Sequence, residues 1–273
     1  MKTLNAAVIG CGSIARFHFP ALEKAGVRVA WVCDLNAEAA RPWAEKCGAR
    51  VTTDFRDALA DPALDLVDVT AIAPVHKPVC LAAIAAGKAV ICEKTLAENA
   101  EDAWQIVSAA RERGVVFYTS YMKRFIPAVA KARELLPQLG RILTTHIRAH
   151  QCWGDLWTEN PASGHAHTPP GGRSGIAVKY AGGILPCGGS HILDLVLFLL
   201  GRPTRLHAVV HTPPGRDYDL LAAALMETPN GVVHFEALTH ALRRIGAWRD
   251  GWDERFEITG VHGRLELYSP LWD

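Results

Sequence analysis

Ala6-Ala7-Val8-Ile9-Gly10-Cys11-Gly12-Ser13-Ile14-Ala15 is a short apolar run that ends in G-x-G-x-x-A. Gly10 permits a tight turn out of a strand. Gly12 has no Cβ, so a pyrophosphate can approach the backbone, and Ala15 keeps the following helix close to the sheet. A diphosphate would sit on Gly10, Gly12, Ser13 and Ile14, where free N–H groups and the helix dipole favour negative charge. Such a motif alone also fits an ordinary Gly-rich turn. Here a strand-like run precedes it and a helical pattern over 14–25 follows. A second apolar run, 27–33, then ends at Asp34, 22 residues past Gly12. An acid at that place accepts the ribose hydroxyls of an adenosine and repels a 2′-phosphate. The expected cofactor is NAD, with NADP disfavoured.

Working outward, helical patterns at 37–47, 78–86 and 99–113 alternate with strand-like runs at 50–53, 65–70, 89–92 and 115–120. Asn36 and Asn99 are suited to cap two of these helices, and Gly48, Gly87 and Gly114 to close them. Alternation at this spacing implies βαβ units and a parallel sheet. Ligands then bind beyond the carboxyl ends of the strands. Besides the first turn and Asp34, the loop containing Ala73, Pro74 and His76 falls there, as do Glu93 and Lys94. These are the candidate cofactor-binding residues.

The whole chain has 273 residues, 49% of them hydrophobic, with 29 Lys plus Arg against 28 Asp plus Glu. A near-zero balance argues against a nucleic-acid partner, which normally demands a basic surplus. The seven cysteines include no C-x-x-C and are expected to be reduced thiols of a cytoplasmic enzyme. No leader segment precedes the first strand, and the apolar stretch 192–200 contains Asp194 and is too short for a bilayer, so no membrane association is expected.

Beyond residue 122 the pattern changes. A helix over 127–136 and a strand over 141–148 are followed by 151–179, rich in Gly, Pro, His and Trp and expected to be either a functional loop or a disordered one. Trp153 and Trp157 either pack under this loop or offer an apolar platform to the C–H face of a sugar. His146, His150, His165 and His167 lack a carboxylate or thiol at ligand spacing, so no metal is expected. A helix over 188–200 carries His191 and Asp194 on one face, where a buried histidine satisfied by an acid is the plainer alternative. Strands follow at 205–212, 220–227 and 232–239, the last two joined by a Pro229-Asn230-Gly231 turn, and at 254–260 and 263–267.

Taken together, these residues resemble the glucose–fructose oxidoreductase/inositol dehydrogenase (Gfo/Idh/MocA) family. The run Ala86-Gly87-Lys88-Ala89-Val90-Ile91-Cys92-Glu93-Lys94-Thr95 resembles its A-G-K-x-V-x-x-E-K-P signature. His18 after the first turn is typical of the family. Pro74 and His76 resemble a T-P-x-x-x-H loop, with Ala73 in place of Thr. Tyr121-Met122-Lys123-Arg124-Phe125 with Pro127 resembles R-F-x-P, and 182–194 resembles G-G-x-L-x-D-x-G-x-H-x-x-D. The resemblance implies an α/β chain: an N-terminal Rossmann dinucleotide-binding domain (1–122) and a C-terminal α+β substrate-binding and oligomerisation domain (123–273) with a large, open, mostly antiparallel sheet. It also implies hydride transfer between nicotinamide and a hydroxyl or ketone carbon of a small sugar, inositol or related polyol. Lys94 and His191 carry over as the catalytic pair, and Arg124, Trp153, Trp157, Cys187 and Asp194 line the substrate side with them. Asp194 is expected to orient the His191 ring.

Two positions depart from the pattern. The acid of D-x-G-x-H is Cys187 here, a neutral thiol that supplies no fixed charge and that also fits simple packing. The proline of E-K-P is Thr95; because a cis bond before a non-proline residue costs roughly 2.5–4 kcal/mol, the Lys94–Thr95 bond is expected to be trans. Family members usually continue past the equivalent of Asp273, so an edge strand or part of the substrate wall is expected to be missing. These features leave two rivals: a cofactor-binding regulator that has lost catalysis, and an enzyme that uses NAD transiently to cleave a glycosidic bond. A homodimer or homotetramer is expected, because an open sheet needs its second face covered.

Overall fold

The structure, a computed structural model, describes residues 2–154, 156–157, 182–244 and 251–268. It divides into two compact units, Met1–Ser120 and Tyr121–Asp273.

The first unit is built on six strands, β1 (Asn5–Ile9), β2 (Arg28–Cys33), β3 (Arg50–Thr52), β4 (Leu66–Val69), β5 (Ala89–Cys92) and β6 (Phe117–Thr119), in the order β3-β2-β1-β4-β5-β6. Every neighbouring pair is parallel. Successive side chains of a strand point to opposite faces. Ala7 and Ile9 of β1 accordingly enter one apolar cluster and Ala6 and Val8 the other. Helices α1 (Ala15–Lys24), α2 (Ala37–Cys47), α3 (Phe55–Leu59), α4 (Ala73–Ala85) and α5 (Ala100–Arg113) complete the Rossmann arrangement. Its topological switch point lies between β1 and β4. At that point Gly10 has φ +102°, and a Cβ there would lie 2.6 Å from the Ala71 nitrogen, so this turn admits no side chain.

Two sequence expectations change in this unit. Residues 73–76, expected as a loop, form the first turn of α4, because Pro74 occupies a position whose fixed φ suits a helix start. The Lys94–Thr95 bond is cis rather than trans. Beside it, the Glu93 side chain is held by His18 and the Thr95 carbonyl by His76.

The second unit begins with the turn Met122–Phe125 and α6 (Pro127–Leu135). Its sheet contains β7 (Ile142–Cys152), β8 (Arg205–His211), β9 (Leu221–Thr228), β10 (Gly231–His240), β11 (Asp253–Gly260) and β12 (Gly263–Tyr268), ordered β12-β11-β7-β10-β9-β8. β7 and β10 pair in parallel and the other neighbours antiparallel, so the sheet is mixed and mostly antiparallel. Val233, Phe235 and Ala237 of β10 point inward against Ile192, Leu195 and Leu199 of α7 (Ser190–Leu200). Val232 and His234 point outward and are exposed. β7 runs four residues past the expected strand end at 148, so Gln151 and Cys152 belong to the sheet. Most of the loop expected over 151–179 lies outside the described residues, and so do His165 and His167. His146 stacks on His234 with ring centroids 4.4 Å apart, and His150 meets the Glu236 carboxylate at 2.5 Å. Among the described residues no group of three His, Cys, Asp or Glu side chains is placed to hold a metal ion.

Candidate active site

In the first unit Gly10, Gly12, Ser13, Ile14 and Asp34 line one groove of about 530 Å³ at the carboxyl ends of β1, β2 and β4. α2, α3 and α5 are capped by the side chains of Asn36, Asp54 and Asn99. No side chain caps α1; its Ala15 and Phe17 amides turn back onto the Gly12 and Ile14 carbonyls, and the side facing the groove is the Gly12–Ile14 backbone. A Cβ on Gly12 would meet nothing within 4 Å, so the space beside this backbone is open. Asp34 is locked in place. One carboxylate oxygen accepts the Cys11 amide at 2.7 Å and the other the Asn36 amide at 2.9 Å. Each oxygen keeps lone-pair capacity for a ribose hydroxyl. Burial, followed by the Asp34 charge, pushes the Cys11 thiol up to about 12, and the same two causes raise Cys33 to about 11. Both thiols therefore stay neutral beside the groove. An uncapped helix start, open space at Gly12 and an oriented acid fit the diphosphate and adenosine ribose of NAD.

Lys94 follows β5 and is partly exposed. Its amide donates to a Glu93 carboxylate oxygen at 3.2 Å. His76 is only 1% exposed, and its two ring nitrogens lie 2.9 Å from the Thr95 carbonyl and 3.0 Å from the Ala71 carbonyl. The ring is buried and ties the segments that follow β4 and β5 together. Ala73 and Pro74 sit in the first turn of α4, beside Ile72 and Val75 of the groove wall. Lys88, in the signature-like run, donates to the Asp61 and Leu64 carbonyls and is structural.

In the second unit Asp194 does not serve the His191 ring as expected. Its two oxygens take the fork of Arg124, at 2.6 Å from Nε and 2.5 Å from Nη2. A planar guanidinium matches a carboxylate in this two-point manner. The pairing with Asp194 also raises the Arg124 pKa. Arg124 further lies over the Phe198 ring at 5.1 Å. His191 meets the Tyr121 ring edge-on, with centroids 5.8 Å apart. The helix expected from 188 starts at Ser190, and a π-helical turn, Leu185–Gly189, precedes it. Cys187 lies in that turn, buried in the apolar cluster, so it and His191 do not share a regular α-turn. Trp153 is 1% exposed within the same cluster and donates to the Gln151 side chain at 2.9 Å, which is the packing role. Trp157 is half-exposed, stacks on His211 with centroids 5.5 Å apart, and donates to the Thr239 carbonyl.

Sequence reasoning missed Asp219. Gly183, at φ +101°, leaves no room for a side chain against Asp219, whose carboxylate accepts the Leu185 amide at 2.8 Å. Burial raises the pKa of that carboxyl. Asp219 thus anchors the turn that precedes His191. The tight Gly182-Gly183 pair was the available signal, but the partner lies more than thirty residues away.

The packing of Cys187 carries a prediction. Cys187→Ser places a hydroxyl in an apolar pocket and is expected to cost about 1–2 kcal/mol of stability while NADH binding is kept. Chemical denaturation with a parallel NADH titration checks both; loss of NADH binding in the folded variant would give the thiol a role beyond packing.

Comparison with known proteins agrees with this geometry. Residues 4–121 match the NAD-binding Rossmann-fold domain of the Gfo/Idh/MocA oxidoreductase family, and residues 129–266 match a Gfo/Idh/MocA C-terminal domain. The chain is 30% identical over 280 residues to inositol 2-dehydrogenase 2 of Saccharopolyspora erythraea, covering 98% of this chain and 74% of that protein. It is 27% identical over 227 residues to levoglucosan dehydrogenase of Pseudarthrobacter phenanthrenivorans, covering 78% and 55% respectively. The crystal structure of GenD2 from gentamicin A biosynthesis, in complex with NAD, superposes with a TM-score of 0.77 at 25% identity, over 98% of this chain and 73% of that one. The chain spans between 44% and 75% of the length of the curated relatives it matches.

Proposed function

Because this chain belongs to the Gfo/Idh/MocA oxidoreductase family, we propose that it is an NAD-dependent dehydrogenase or reductase acting on a CH–OH or ketone carbon of a small sugar, inositol or related polyol. The observation that carries the reading is the nucleotide groove, with an uncapped α1, open backbone at Gly12 and an acid held at 2.7 Å by the Cys11 amide. Bound NAD supplies the hydride acceptor or donor. The chain's own residues supply the rest. The backbone of residues 12–14 holds the diphosphate, and Asp34 accepts the ribose hydroxyls. Lys94 polarises the reacting oxygen. His191 takes or returns its proton, which suits an imidazole whose ordinary pKa lies near neutral pH. The names of the relatives support the substrate class: inositol and levoglucosan are both polyhydroxylated rings. Absorbance at 340 nm over a panel of sugars, inositols and sugar acids with NAD⁺ tests the reading, with product mass spectrometry alongside. NADH formation with a ketone product supports it. A product of glycosidic cleavage without net NADH would support transient use of NAD, and binding without turnover a regulator.

The cofactor preference is a second expected result. Asp34 is followed by exposed Leu35 and by Asn36, whose side chain caps α2, so neither of these two residues supplies a cation to a 2′-phosphate. Asp34→Ala is expected to weaken NAD binding by roughly tenfold or more, since it strands two ribose hydroxyls without acceptors, and to narrow the gap to NADP. Calorimetry with both cofactors measures this, and equal affinities in the unaltered chain would refute the preference.

The proposed assembly is a cytoplasmic homodimer or homotetramer formed through the outer face of the second sheet. Val209, Leu225 and Val232 are exposed there, and no disulfide links cysteines of the described residues. Sedimentation analysis reads the oligomeric state. Among the described residues no helix is long and apolar enough to cross a membrane.

A further inference from the structure

We infer that His18 is a positioning residue for Lys94, acting through a charged clamp on Glu93 and Asp68. The inference rests on the role of Lys94 proposed above. His18 lies in α1, the helix that opens at the nucleotide loop. Its Nδ1 is 3.0 and 2.9 Å from the two Asp68 oxygens of β4, and its Nε2 is 3.1 Å from Glu93 Oε1 at the end of β5. Carboxylates only accept, so both ring nitrogens donate and the ring is an imidazolium. The other Glu93 oxygen accepts the Lys94 amide. One chain of contacts therefore runs from α1 through Glu93 to the main chain of Lys94. On the far side His76 holds the Thr95 carbonyl, so the residues before and after Lys94 are both fixed by buried groups.

The clamp needs its charge. Asp68 is 1% exposed and Glu93 8%, and two carboxylates brought together away from water repel each other. The imidazolium between them offsets that repulsion. The charged groups facing His18 are Asp68 from β4 and Glu93 after β5. The nearby thiol of Cys92 in β5 stays neutral, because the neighbouring Cys80 and burial both raise its pKa. Burial alone would lower the His18 pKa, but the hydrogen bonds to Asp68 and Glu93 outweigh it and hold the group at about 9. A pKa raised in the folded state stabilises fully below the ordinary histidine value and loses that contribution as pH rises through the raised one. The clamp is accordingly intact at neutral pH and released above about pH 9.

The test uses the full chain and two variants. His18→Gln keeps a hydrogen-bond donor and removes the charge. It is expected to lower kcat of NAD⁺-linked oxidation by about tenfold to a hundredfold, the scale of a misplaced catalytic group, while the Kd of NADH stays within about threefold. The unaltered chain is expected to lose kcat as pH rises through about 9, and His18→Gln to lack that step. A second readout needs no substrate. Lysines are methylated reductively with ¹³C, the Lys94 signal is identified from Lys94→Arg, and a pH titration follows it together with the His18 ring proton. In the NADH complex the Lys94 signal is expected to shift at the His18 midpoint in the unaltered chain and not in His18→Gln. A Lys94 signal with no inflection at that midpoint overturns the proposal, as does a folded His18→Gln enzyme with unchanged kcat and pH profile. If His18→Gln does not fold, the titration of the unaltered chain decides alone. Failure of the functional reading shows separately, as an unaltered chain that reduces no NAD⁺ with any polyol.

Discussion

Lys94→Met is expected to lose roughly 10²–10⁴ of kcat, about 2.7–5.5 kcal/mol of transition-state stabilisation, while the Kd of NADH changes little. The separation follows from where the groups lie. Gly12, Ser13, Ile14 and Asp34, the residues proposed to hold the nucleotide, all line one groove, and Lys94 is not among its lining residues. Lys94 instead leaves the end of β5, where its amide is tied to Glu93 and the next carbonyl to His76. A methionine keeps the apolar stem of that side chain and removes the ammonium, so packing changes little while the group proposed to polarise the reacting oxygen is gone. Stopped-flow absorbance at 340 nm gives kcat and fluorescence titration gives the NADH affinity. Turnover within about threefold of the unaltered chain would take Lys94 out of the mechanism. His191→Ala should also lose turnover. If the two losses together fall short of their sum, both residues serve one proton-transfer step, because groups that act as a unit are strongly non-additive.

The nucleotide site was legible because it is local. The turn after β1, the start of α1 and the acid after β2 lie within a single βαβ unit, and the chemistry of each residue is its reason for being there. The parallel first sheet followed from the alternation of strands and helices, and the mostly antiparallel second sheet from the family resemblance. What escaped was long-range. The motif match named His76 and placed His18, but their hydrogen-bond partners come from distant segments, 50 residues along the chain for His18 and Asp68 and 19 for His76 and Thr95. A histidine whose nitrogens face a carbonyl or a carboxylate looks the same in sequence as one that faces a cofactor. Asp194 failed as a histidine orienter for a related reason. Helix spacing correctly puts it on the face of His191, but the stronger partner, Arg124, approaches from a turn 70 residues earlier.

That ion pair sets the second large effect. Arg124→Met is expected to destabilise the second unit by about 2–3 kcal/mol, and Asp194→Asn by only about 1 kcal/mol. The asymmetry comes from burial. The side chain of Asp194 is 8% exposed and that of Arg124 39%. Removing the arginine leaves a carboxylate largely out of water with its counter-charge gone, the costly way to break such a pair, although the partial exposure of Arg124 moderates the loss below that of a fully buried bridge. Removing the acid leaves a guanidinium that water can reach and an isosteric amide that can still accept one of its hydrogen bonds. Methionine preserves the stem that packs over Phe198, so lost apolar contact contributes little. The expected fall in thermal midpoint for Arg124→Met is roughly 5–10 °C for a unit of this size. The double variant should recover much of it, since no buried charge then lacks a partner, and the recovered part is the coupling energy of the pair. Equal losses for the two single variants would mean that the fork contributes packing rather than charge. The pair also joins the Met122–Phe125 turn to α7, one helical turn from the Tyr121–His191 contact. Arg124→Met should therefore lower kcat more than Asp194→Asn at a temperature where both are folded, because only the first releases the turn that keeps Tyr121 against the His191 ring.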